Sequence, residues 1–279
     1  MLQVKPMQVD DFQFATELAN TMNWNMAPED FEFNLSLEPE GCFVAFDGSK
    51  RIGIATCVSF GLLGWFGNLI VSENYRKKGI GSLLVQHSID YLKGKGVKTV
   101  GLYAYTKLTD FYSGLGFKQD NDFTLVAVDN LDCKPINIQL EPGVKYIQEI
   151  EKFDNDFFGG NRAKLLESVI LEKGNLSYCW LENGQVIGYV AATVYEKMAW
   201  VGPLICKAGK TEVANSLVTS VLSKLNGLSV YAVLPKKETV LSNLFTKFGF
   251  KEEFSVSRMF FGEKISKNCI YLAESLERG

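Results

Sequence analysis

Residues 71–84 read Val71-Ser72-Glu73-Asn74-Tyr75-Arg76-Lys77-Lys78-Gly79-Ile80-Gly81-Ser82-Leu83-Leu84. They follow an apolar strand that ends at Val71, and they lead into a helix whose apolar residues recur at helical spacing. The glycines of the turn let successive backbone N–H groups point into one concavity, to which the helix N-terminus adds its positive end. Residues 76–78 add full positive charges. The stretch therefore predicts an anion-binding turn, and a pyrophosphate suits it best.

Two well-known phosphate-binding turns do not match this stretch. A nucleotide P-loop ends in Gly-Lys followed by Ser or Thr, whereas Gly79-Ile80-Gly81-Ser82 contains no lysine. A Rossmann turn needs a third glycine, and Leu84 stands at that position. The pattern that remains is Arg-x-x-Gly-x-Gly after a strand. The alternative interpretation is a surface turn whose lysines are solvated and bind no ligand.

A second segment, Phe111-Tyr112-Ser113-Gly114-Leu115-Gly116-Phe117, follows a predicted strand at 99–105. The two segments together resemble the GNAT acetyltransferase superfamily, in which the first binds the pyrophosphate of acetyl-CoA and the second carries a tyrosine beside the CoA sulfur. The chain departs from many members at Tyr105, where they have an asparagine that contacts the pantetheine arm. The run Leu102-Tyr103-Ala104-Tyr105-Thr106 is similar to a subgroup with Ala-x-Thr at this place.

The resemblance implies that one set of residues binds acetyl-CoA, the donor: Ile70, Val71, Arg76, Lys77, Lys78, Gly79, Ile80, Gly81, Ser82 and Thr106. In the family, backbone groups at the end of the strand, here Ile70 and Val71, face the pantetheine arm and the thioester carbonyl. Tyr112 is implied to be the general acid, because a phenol with a pKa of about 10 is able to protonate a departing thiolate with a pKa of about 8.5. The alternative interpretation of Tyr112 is a core aromatic residue whose hydroxyl reaches water.

The acceptor site and the general base are less defined. We expect Trp24, Asn25 and Trp65 to flank the cleft, where exposed aromatic rings suit an uncharged or cationic acceptor. The alternative is that these tryptophans are ordinary core residues. The strand at 64–71 has no acidic residue, and Glu73 is interpreted as a solvated charge. The base is then a water chain, a residue of the second half, or nothing, if the amine arrives unprotonated.

Composition narrows the function classes. At 279 residues the chain is long enough for two domains, and a net charge of −3 with a pI near 5.5 argues against nucleic-acid binding. No apolar run is long enough to span a membrane, and the first residues lack a signal-peptide core, so we expect a cytoplasmic protein. Six scattered cysteines and a single histidine predict no metal site. That histidine, His87, is interpreted as a packed or half-buried helix residue.

The sequence repeats itself at an offset of 135 residues. Ile52-Gly53 recurs as Ile187-Gly188, Trp65 as Trp200, and Gly67 as Gly202. At an offset of 133, the turn that ends in Gly116-Phe117 recurs as Gly249-Phe250. The repeat predicts two copies of one fold: a GNAT N-acetyltransferase domain at 1–135 that binds acetyl-CoA, and a degenerate GNAT-like domain at 136–279. The second copy is expected to pack on the first and to line its acceptor side, so that the chain acts as a monomer or a weak homodimer.

The second copy has lost the residues that carry the chemistry. Where the first copy has Arg76, Lys78, Gly79 and Gly81, the second has Thr211, Val213, Ala214 and Ser216. Phe245, which has no hydroxyl, stands at the place of Tyr112. The remaining features of this half resemble the degenerate second domain of one tandem GNAT group: Phe157-Phe158-Gly159-Gly160-Asn161-Arg162, Gly202-Pro203-Leu204 and Ser257-Arg258-Met259.

The predicted elements alternate between strands and helices in both copies. Strands are predicted at 2–6, 42–46, 51–60, 64–71, 99–105 and 122–128, and again at 176–181, 185–195, 198–206, 229–234 and 251–261. Helices are predicted at 11–22, 29–37, 79–93 and 109–114, and again at 162–172, 211–225 and 237–248. The fold class is therefore α/β, with a mixed sheet of the α+β type in two tandem GNAT-like acyl-CoA N-acyltransferase domains.

Three functions stay open. The first is an N-acetyltransferase that carries an acetyl group from acetyl-CoA to a primary amine of a small molecule, an amino acid derivative or a protein, by direct attack. The second is a non-catalytic acyl-CoA sensor, and the third is a tandem acyltransferase with another donor, such as aminoacyl-tRNA or a longer acyl-CoA. Retention of Tyr112 beside a full turn favours the enzyme, and the acidic pI weighs against tRNA.

Overall fold

A computed structural model describes residues 1–134, 138–263, 265 and 268–279. Contacts divide the chain into two compact units. The first unit comprises residues 1–102, 261–263 and 278, and the second comprises the described residues of 103–260 and of 264–277, together with 279. The expected domain boundary between residues 135 and 136 lies outside the described residues.

The first unit is a five-stranded sheet with three helices. Its strands are β1 (Leu2–Pro6), β2 (Cys42–Asp47), β3 (Lys50–Phe60), β4 (Leu63–Val71) and β5 (Thr99–Tyr105), and its helices are α1 (Phe12–Asn20), α2 (Pro28–Leu37) and α3 (Ile80–Gly94). The strands pair in the order β1-β2-β3-β4-β5, and β5 continues into the second unit after Leu102. All neighbours are antiparallel except β4 and β5, which are parallel because helix α3 carries the chain back across the sheet.

Helix α3 forms because its apolar residues share one face. Ile80, Leu84 and Leu92 recur at helical spacing and are buried. His87 lies at the margin of this face, half-buried, with its ring edge-to-face against Phe43 at a centroid distance of 4.7 Å. The interpretation of His87 as a packed helix residue is confirmed. The turn before this helix is therefore attached to an element that is packed in the first unit.

The second unit contains the remaining elements. These are α4 (Thr109–Gly114), β6 (Lys118–Val128), β7 (Glu141–Pro142), α5 (Ile147–Phe158), α6 (Ala163–Ile170), β8 (Leu176–Glu182), β9 (Gln185–Val194), β10 (Met198–Lys207), α7 (Thr211–Leu222), β11 (Ser229–Pro235), α8 (Thr239–Lys247), β12 (Lys251–Phe261) and β13 (Cys269–Leu272). The strands follow the order β12-β6-β11-β10-β9-β8-β7, and β13 pairs with β10. Strand β6 belongs to the first half of the sequence, yet it pairs with β11 and β12 of the second half.

The mixed α/β class is confirmed, and each predicted element is present with bounds that move by a few residues. Helix α5 and strands β7 and β13 were not predicted. Helix α5 is hard to recognise because a charged residue, Asp154, sits fully buried on its apolar face beside Ile150 and Phe153. None of the described helices is both long and apolar enough to cross a bilayer. Of the cysteines, five are buried and Cys269 is half-buried.

Candidate functional site

The turn between β4 and α3 is built from backbone hydrogen bonds. The Ser72 N–H donates to the Ile52 carbonyl oxygen at 2.9 Å, which ends the strand, and a short 3-10 turn follows at Glu73–Tyr75. Two residues then adopt left-handed conformations, Lys77 with φ 59° and Gly79 with φ 82°. Left-handed residues inside a turn bring neighbouring N–H groups to one side of the chain, which creates a concavity for an anion.

The start of helix α3 supplies further donors. The Leu83 N–H donates to the Gly79 carbonyl oxygen at 3.0 Å, which is the first turn of the helix. The N–H groups of Ile80, Gly81 and Ser82 therefore have no acceptor within the helix. The residue at the N-cap is Gly79, which has no side chain to cap them. These three N–H groups and the positive end of the helix dipole are available to an anion.

Four cations surround the turn. Arg76, Lys77 and Lys78 are exposed, and the Arg76 Nε atom donates to the Val71 carbonyl oxygen at 2.9 Å. The Nζ atoms of Lys78 and Lys50 each lie 5.4 Å from the centroid of the Tyr75 ring. Sequence reasoning missed Lys50. No linear signal connects it to the turn, because only the pairing of β3 with β4 brings the start of β3 close to the end of β4.

Strands β4 and β5 separate before β4 ends. Their parallel pairing runs from Leu63–Thr99 to Trp65–Gly101. Among the described pairings of the first unit, residues 66–71 have no partner strand on the β5 side. The backbone of β4 near Ile70 and Val71 therefore has no strand partner on this side among the described pairings. The Val71 carbonyl oxygen already accepts the Arg76 hydrogen bond, so that group is engaged.

Asn68 marks a β-bulge in β4 that sequence reasoning missed. Ile54 pairs with Ile70 and Thr56 with Gly67, so the two residues between Gly67 and Ile70 face a single residue of β3. Asn68 is left-handed, with φ 50°, and only 5% exposed. Its Nδ2 atom donates to the Thr56 hydroxyl oxygen at 3.2 Å, while its Oδ1 atom is buried and accepts no hydrogen bond from the described residues. The available signal was Gly67-Asn68 within an otherwise apolar strand.

Tyr112 and Thr106 belong to the second unit. Tyr112 lies in α4, is 6% exposed, and packs against Phe111 and Phe117 with ring-centroid distances of 4.9 and 5.8 Å. Burial raises the pKa of the Tyr112 hydroxyl above the ordinary tyrosine value, so this group holds its proton far into the alkaline range. Thr106 is exposed, and its carbonyl oxygen accepts a hydrogen bond from the Thr109 hydroxyl at 2.9 Å.

The three residues expected at the acceptor side have different environments. Trp65 is 1% exposed, so the expectation of an exposed ring is wrong for this residue and the core interpretation is correct. Trp24 is half-buried against the apolar cluster around Phe12 and Phe31. Asn25 is exposed and left-handed, with φ 49°. The loop that carries Trp24 and Asn25 is closed by Asn20, whose side chain bonds the backbone N and O of Met26.

Two carboxylates among the described residues of the first unit are buried: Asp11, which is paired with Arg51 of β3, and Glu38, which sequence reasoning did not weigh as a base. Glu38 accepts hydrogen bonds from the Ser59 N–H at 3.0 Å and the Tyr91 hydroxyl at 2.6 Å. Burial and the Glu38 carboxylate raise the pKa of Tyr91. Ser59 pairs with Gly64 at the hairpin that starts β4, the opposite end of the strand from Val71. Glu38 is therefore a structural bridge between α2, β3 and α3, and the exposed Glu73 is a solvated charge.

The repeat is visible as matched hydrogen bonds. The Phe117 N–H donates to the Tyr112 carbonyl oxygen at 3.1 Å, and the Phe250 N–H donates to the Phe245 carbonyl oxygen at 3.1 Å. Both turns contain a left-handed glycine, Gly116 with φ 94° and Gly249 with φ 84°. The second copy thus keeps the helix, the turn and the strand of the first. It differs by the hydroxyl group that Phe245 lacks.

The N-terminus of α7, the counterpart of α3 in the second copy, is not suited to bind an anion. Its N-cap residue, Lys210, has φ −94°, and its Nζ atom is paired with the Glu182 carboxylate at 2.7 Å. Glu212 adds a negative charge in the first turn of α7. A carboxylate at this place stabilises the helix end itself and repels a phosphate. The loss of the phosphate-binding residues therefore extends to the local electrostatics.

Comparisons with known proteins agree on one family. Residues 8–117 match a sequence model described as the acetyltransferase (GNAT) family, and residues 150–271 match one described as an acetyltransferase (GNAT) domain. The chain is 23% identical over 222 residues to "Uncharacterized N-acetyltransferase YitH" of Bacillus subtilis, covering 76% of this chain and 75% of the relative. It is 34% identical over 87 residues to "N-alpha-acetyltransferase 30" of Schizosaccharomyces pombe, which is 28% of this chain and 58% of that protein.

Two solved structures have the same fold over almost the whole chain. A crystal structure of a candidate acetyltransferase from Pyrococcus horikoshii superimposes with a TM-score of 0.80 at 20% identity, covering 100% of this chain and 96% of that one. A tandem GNAT protein from the clavulanic acid biosynthesis pathway superimposes with a TM-score of 0.63 at 13% identity, covering 96% of this chain and 100% of that one. At these identities the likeness concerns the fold.

Proposed function

The chain belongs to the GNAT acetyltransferase family, and from this premise we propose that it is an N-acetyltransferase that carries the acetyl group of acetyl-CoA to a primary amine. The observation that carries the proposal is the turn before α3. It combines three N–H groups without helical acceptors, two left-handed residues and four cations. A pyrophosphate needs this combination of directed donors and positive charge.

The residues divide the work of holding the donor. The N–H groups of Ile80, Gly81 and Ser82 bind phosphate oxygens, and the side chains of Arg76, Lys77 and Lys78 neutralise their charge. Arg76 also ties the end of β4 to the turn, because its Nε atom donates to the Val71 carbonyl oxygen. The open edge of β4 near Ile70 then offers backbone groups to the pantetheine arm. Acetyl-CoA supplies an acyl group activated as a thioester.

Tyr112 gives a proton to the sulfur that departs. Burial raises the pKa of its hydroxyl, so the group is protonated at neutral pH. A fully formed thiolate with a pKa of about 8.5 is a weaker base than a buried phenolate, so Tyr112 transfers its proton while the C–S bond breaks and negative charge develops on sulfur. The proton that the attacking amine loses as the amide forms then restores the Tyr112 hydroxyl, so the products are the amide and the CoA thiol.

The acceptor is an amine that arrives unprotonated. Glu38 is the buried carboxylate of the first unit that most resembles a general base. It already accepts hydrogen bonds from the Ser59 N–H and the Tyr91 hydroxyl. Asn68 is neutral, and its buried Oδ1 atom is able to accept one hydrogen bond but not a proton. Substrate deprotonation therefore takes place in solvent, and the rate depends on the fraction of free amine.

The test is acceptor-dependent release of CoA from acetyl-CoA by the full chain. The panel includes aminosugars, amino acid derivatives, polyamines and peptides with free α-amines, the last because one relative is named an N-alpha-acetyltransferase. Release above the rate without acceptor, together with an acetylated product of the expected mass, supports the proposal. Tight binding of acetyl-CoA with no transfer to any amine class would favour the acyl-CoA sensor instead.

A further inference from the structure

The two parallel strands of the second half also separate, and the gap between them is filled. Strands β10 and β11 pair from Met198–Ser229 to Val201–Ala232. Beyond the bulge at Gly202, β10 pairs with β13 instead, antiparallel, from Leu204–Leu272 to Lys207–Cys269. The Ala273 N–H then donates to the Val233 carbonyl oxygen of β11 at 3.0 Å. A segment near the C-terminus thus bonds both strands across the split.

The repeat identifies the position in the first half that corresponds to this split. Gly67 and Gly202 are equivalent at the offset of the repeat. Gly67 directly precedes the bulge of β4, Gly202 lies in the bulge of β10, and each strand leaves its parallel neighbour there. In the first half the open edge beyond the bulge is where the proposed function puts the pantetheine arm. In the second half the same edge is covered by residues 269–273. The chain's own backbone occupies the place that the repeat assigns to a ligand.

The segment is packed as tightly as a core strand. Leu272 and Ala273 are 0% exposed, and Ile270 and Leu272 join the apolar cluster of the second half. A Cβ atom added at Gly202 would come within 1.9 Å of the Ala273 carbonyl oxygen. Gly202 is therefore required for the close approach of the two backbones, and a side chain there is incompatible with the segment in its present place.

A buried arginine binds the end of the same segment. The Arg162 Nη1 atom donates to the backbone oxygen of Gly279 at 2.9 Å, and the Glu274 N–H donates to the same oxygen at 2.9 Å. Arg162 is neutralised by Asp154, with N–O distances of 2.7 and 3.2 Å, and its guanidinium lies 3.7 Å from the Phe158 ring centroid. Such a pair is costly to bury unless its donors are used, and one donor is used on the segment.

We propose that the second half is a peptide-binding slot whose ligand is the chain's own segment 268–279. The slot recognises an extended backbone by strand addition between β10 and β11, with pockets for the alternate apolar side chains of Ile270 and Leu272. Gly202 provides the close approach, and Arg162 holds the backbone oxygen of Gly279. The inference rests on these contacts alone and does not require that the first half transfers acetyl groups.

Two variants of the full chain release the segment without altering the slot. Leu272→Ser removes the buried apolar anchor, and Ala273→Pro removes the N–H that bonds Val233. Hydrogen exchange of the backbone amides at 269–273 is measured in each. We expect slow exchange in the parent chain and exchange at least tenfold faster in both variants, with the amides of β9 unchanged. Slow exchange retained in both variants would contradict the proposal.

The released slot is then tested with a fluorescent peptide of sequence 268–279. We expect saturable binding to the Leu272→Ser or Ala273→Pro chain and at least tenfold weaker binding to the parent chain, whose slot is filled. A peptide that carries the Leu272→Ser change is the matched control, and Gly202→Val in the released chain closes the slot; both are expected to lose binding at least tenfold. Equal binding of the two peptides, or no binding to a released chain, would overturn the proposal.

Discussion

At the residue scale, the account depends most on Tyr112 and its counterpart Phe245. The two rings occupy the same place in matched turns, and they differ by one hydroxyl. Both are buried, so packing alone explains an aromatic ring at each position but does not require the oxygen atom. Placing a hydroxyl in an apolar site carries a desolvation cost, which the phenylalanine avoids. The retained oxygen in the first copy supports the chemical role proposed for Tyr112.

Tyr112→Phe is expected to separate binding from turnover. The ring keeps its packing against Phe111 and Phe117, so the Kd for acetyl-CoA stays within about twofold while kcat falls about 10²–10⁴-fold, the range of a positioned general acid. Tyr91→Phe is the matched control, because it removes another hydroxyl, bonded to Glu38, and lowers stability without lowering kcat. A kcat for Tyr112→Phe within a few-fold of the parent would show that Tyr112 only lines the pocket and is not the general acid.

The pH profile of kcat/KM follows from the same group. The raised pKa of Tyr112 means that the acid form persists above the ordinary tyrosine value of about 10. The rate is therefore expected to rise with pH as the acceptor amine loses its proton, and then to stay level up to about pH 10. A decline that begins below pH 9 in the parent chain, and that is absent in Tyr112→Phe, would show that Tyr112 titrates earlier and that the assignment of its environment is wrong.

At the element scale, the end of β4 and the start of α3 form one continuous structural feature. The bulge at Asn68 and the turn at 72–79 both use left-handed residues, and both connect regular elements of the first unit. Periodicity predicted the strand and the helix because their apolar faces are continuous. The bulge was not predictable in the same way, since one extra residue in a strand leaves the apolar pattern on both sides nearly intact. Strand β13 was missed because its partner β10 is remote in sequence.

Asn68→Ala is expected to destabilise the protein more than Asn68→Gly. Both changes remove the hydrogen bond to the Thr56 hydroxyl, but only alanine suffers the left-handed backbone at φ 50°. The difference between the two variants is expected to be about 1–2 kcal/mol in the free energy of unfolding, measured by urea denaturation. Equal stabilities would indicate that the bulge relaxes and that the left-handed conformation is not held by its surroundings.

Gly81→Val is expected to weaken acetyl-CoA binding at least tenfold, because the side chain crowds the phosphate-binding N–H groups and stiffens the backbone. Gly94→Val is the matched control at the other end of α3, where a Cβ atom meets nothing within 4 Å, and its Kd is expected to stay within twofold. Helicity and melting temperature of both variants show whether the helix remains. An unchanged Kd for Gly81→Val would place the anion elsewhere.

At the scale of the whole molecule, the two copies of one fold have diverged. The repeat, the family resemblance and the loss of the turn at 211–217 were predictable from the sequence, because they depend on residue identity in register. Two further changes in the second copy became visible only through packing: the ion pair of Lys210 with Glu182, and β13 in the split of the sheet. Long-range pairs of this kind leave no local pattern in a sequence.

These differences lead to one central claim: each chain has one acetyl-CoA site, and it lies in the first half. Isothermal titration calorimetry of the full chain with acetyl-CoA measures this directly, and the expected result is one site per chain. The affinity of a Lys77→Glu/Lys78→Glu variant for acetyl-CoA is expected to fall at least tenfold or below detection, because the charge at the turn is reversed. Two equivalent sites per chain, or a single site with the same affinity in the parent chain and the charge-reversed variant, would contradict the claim.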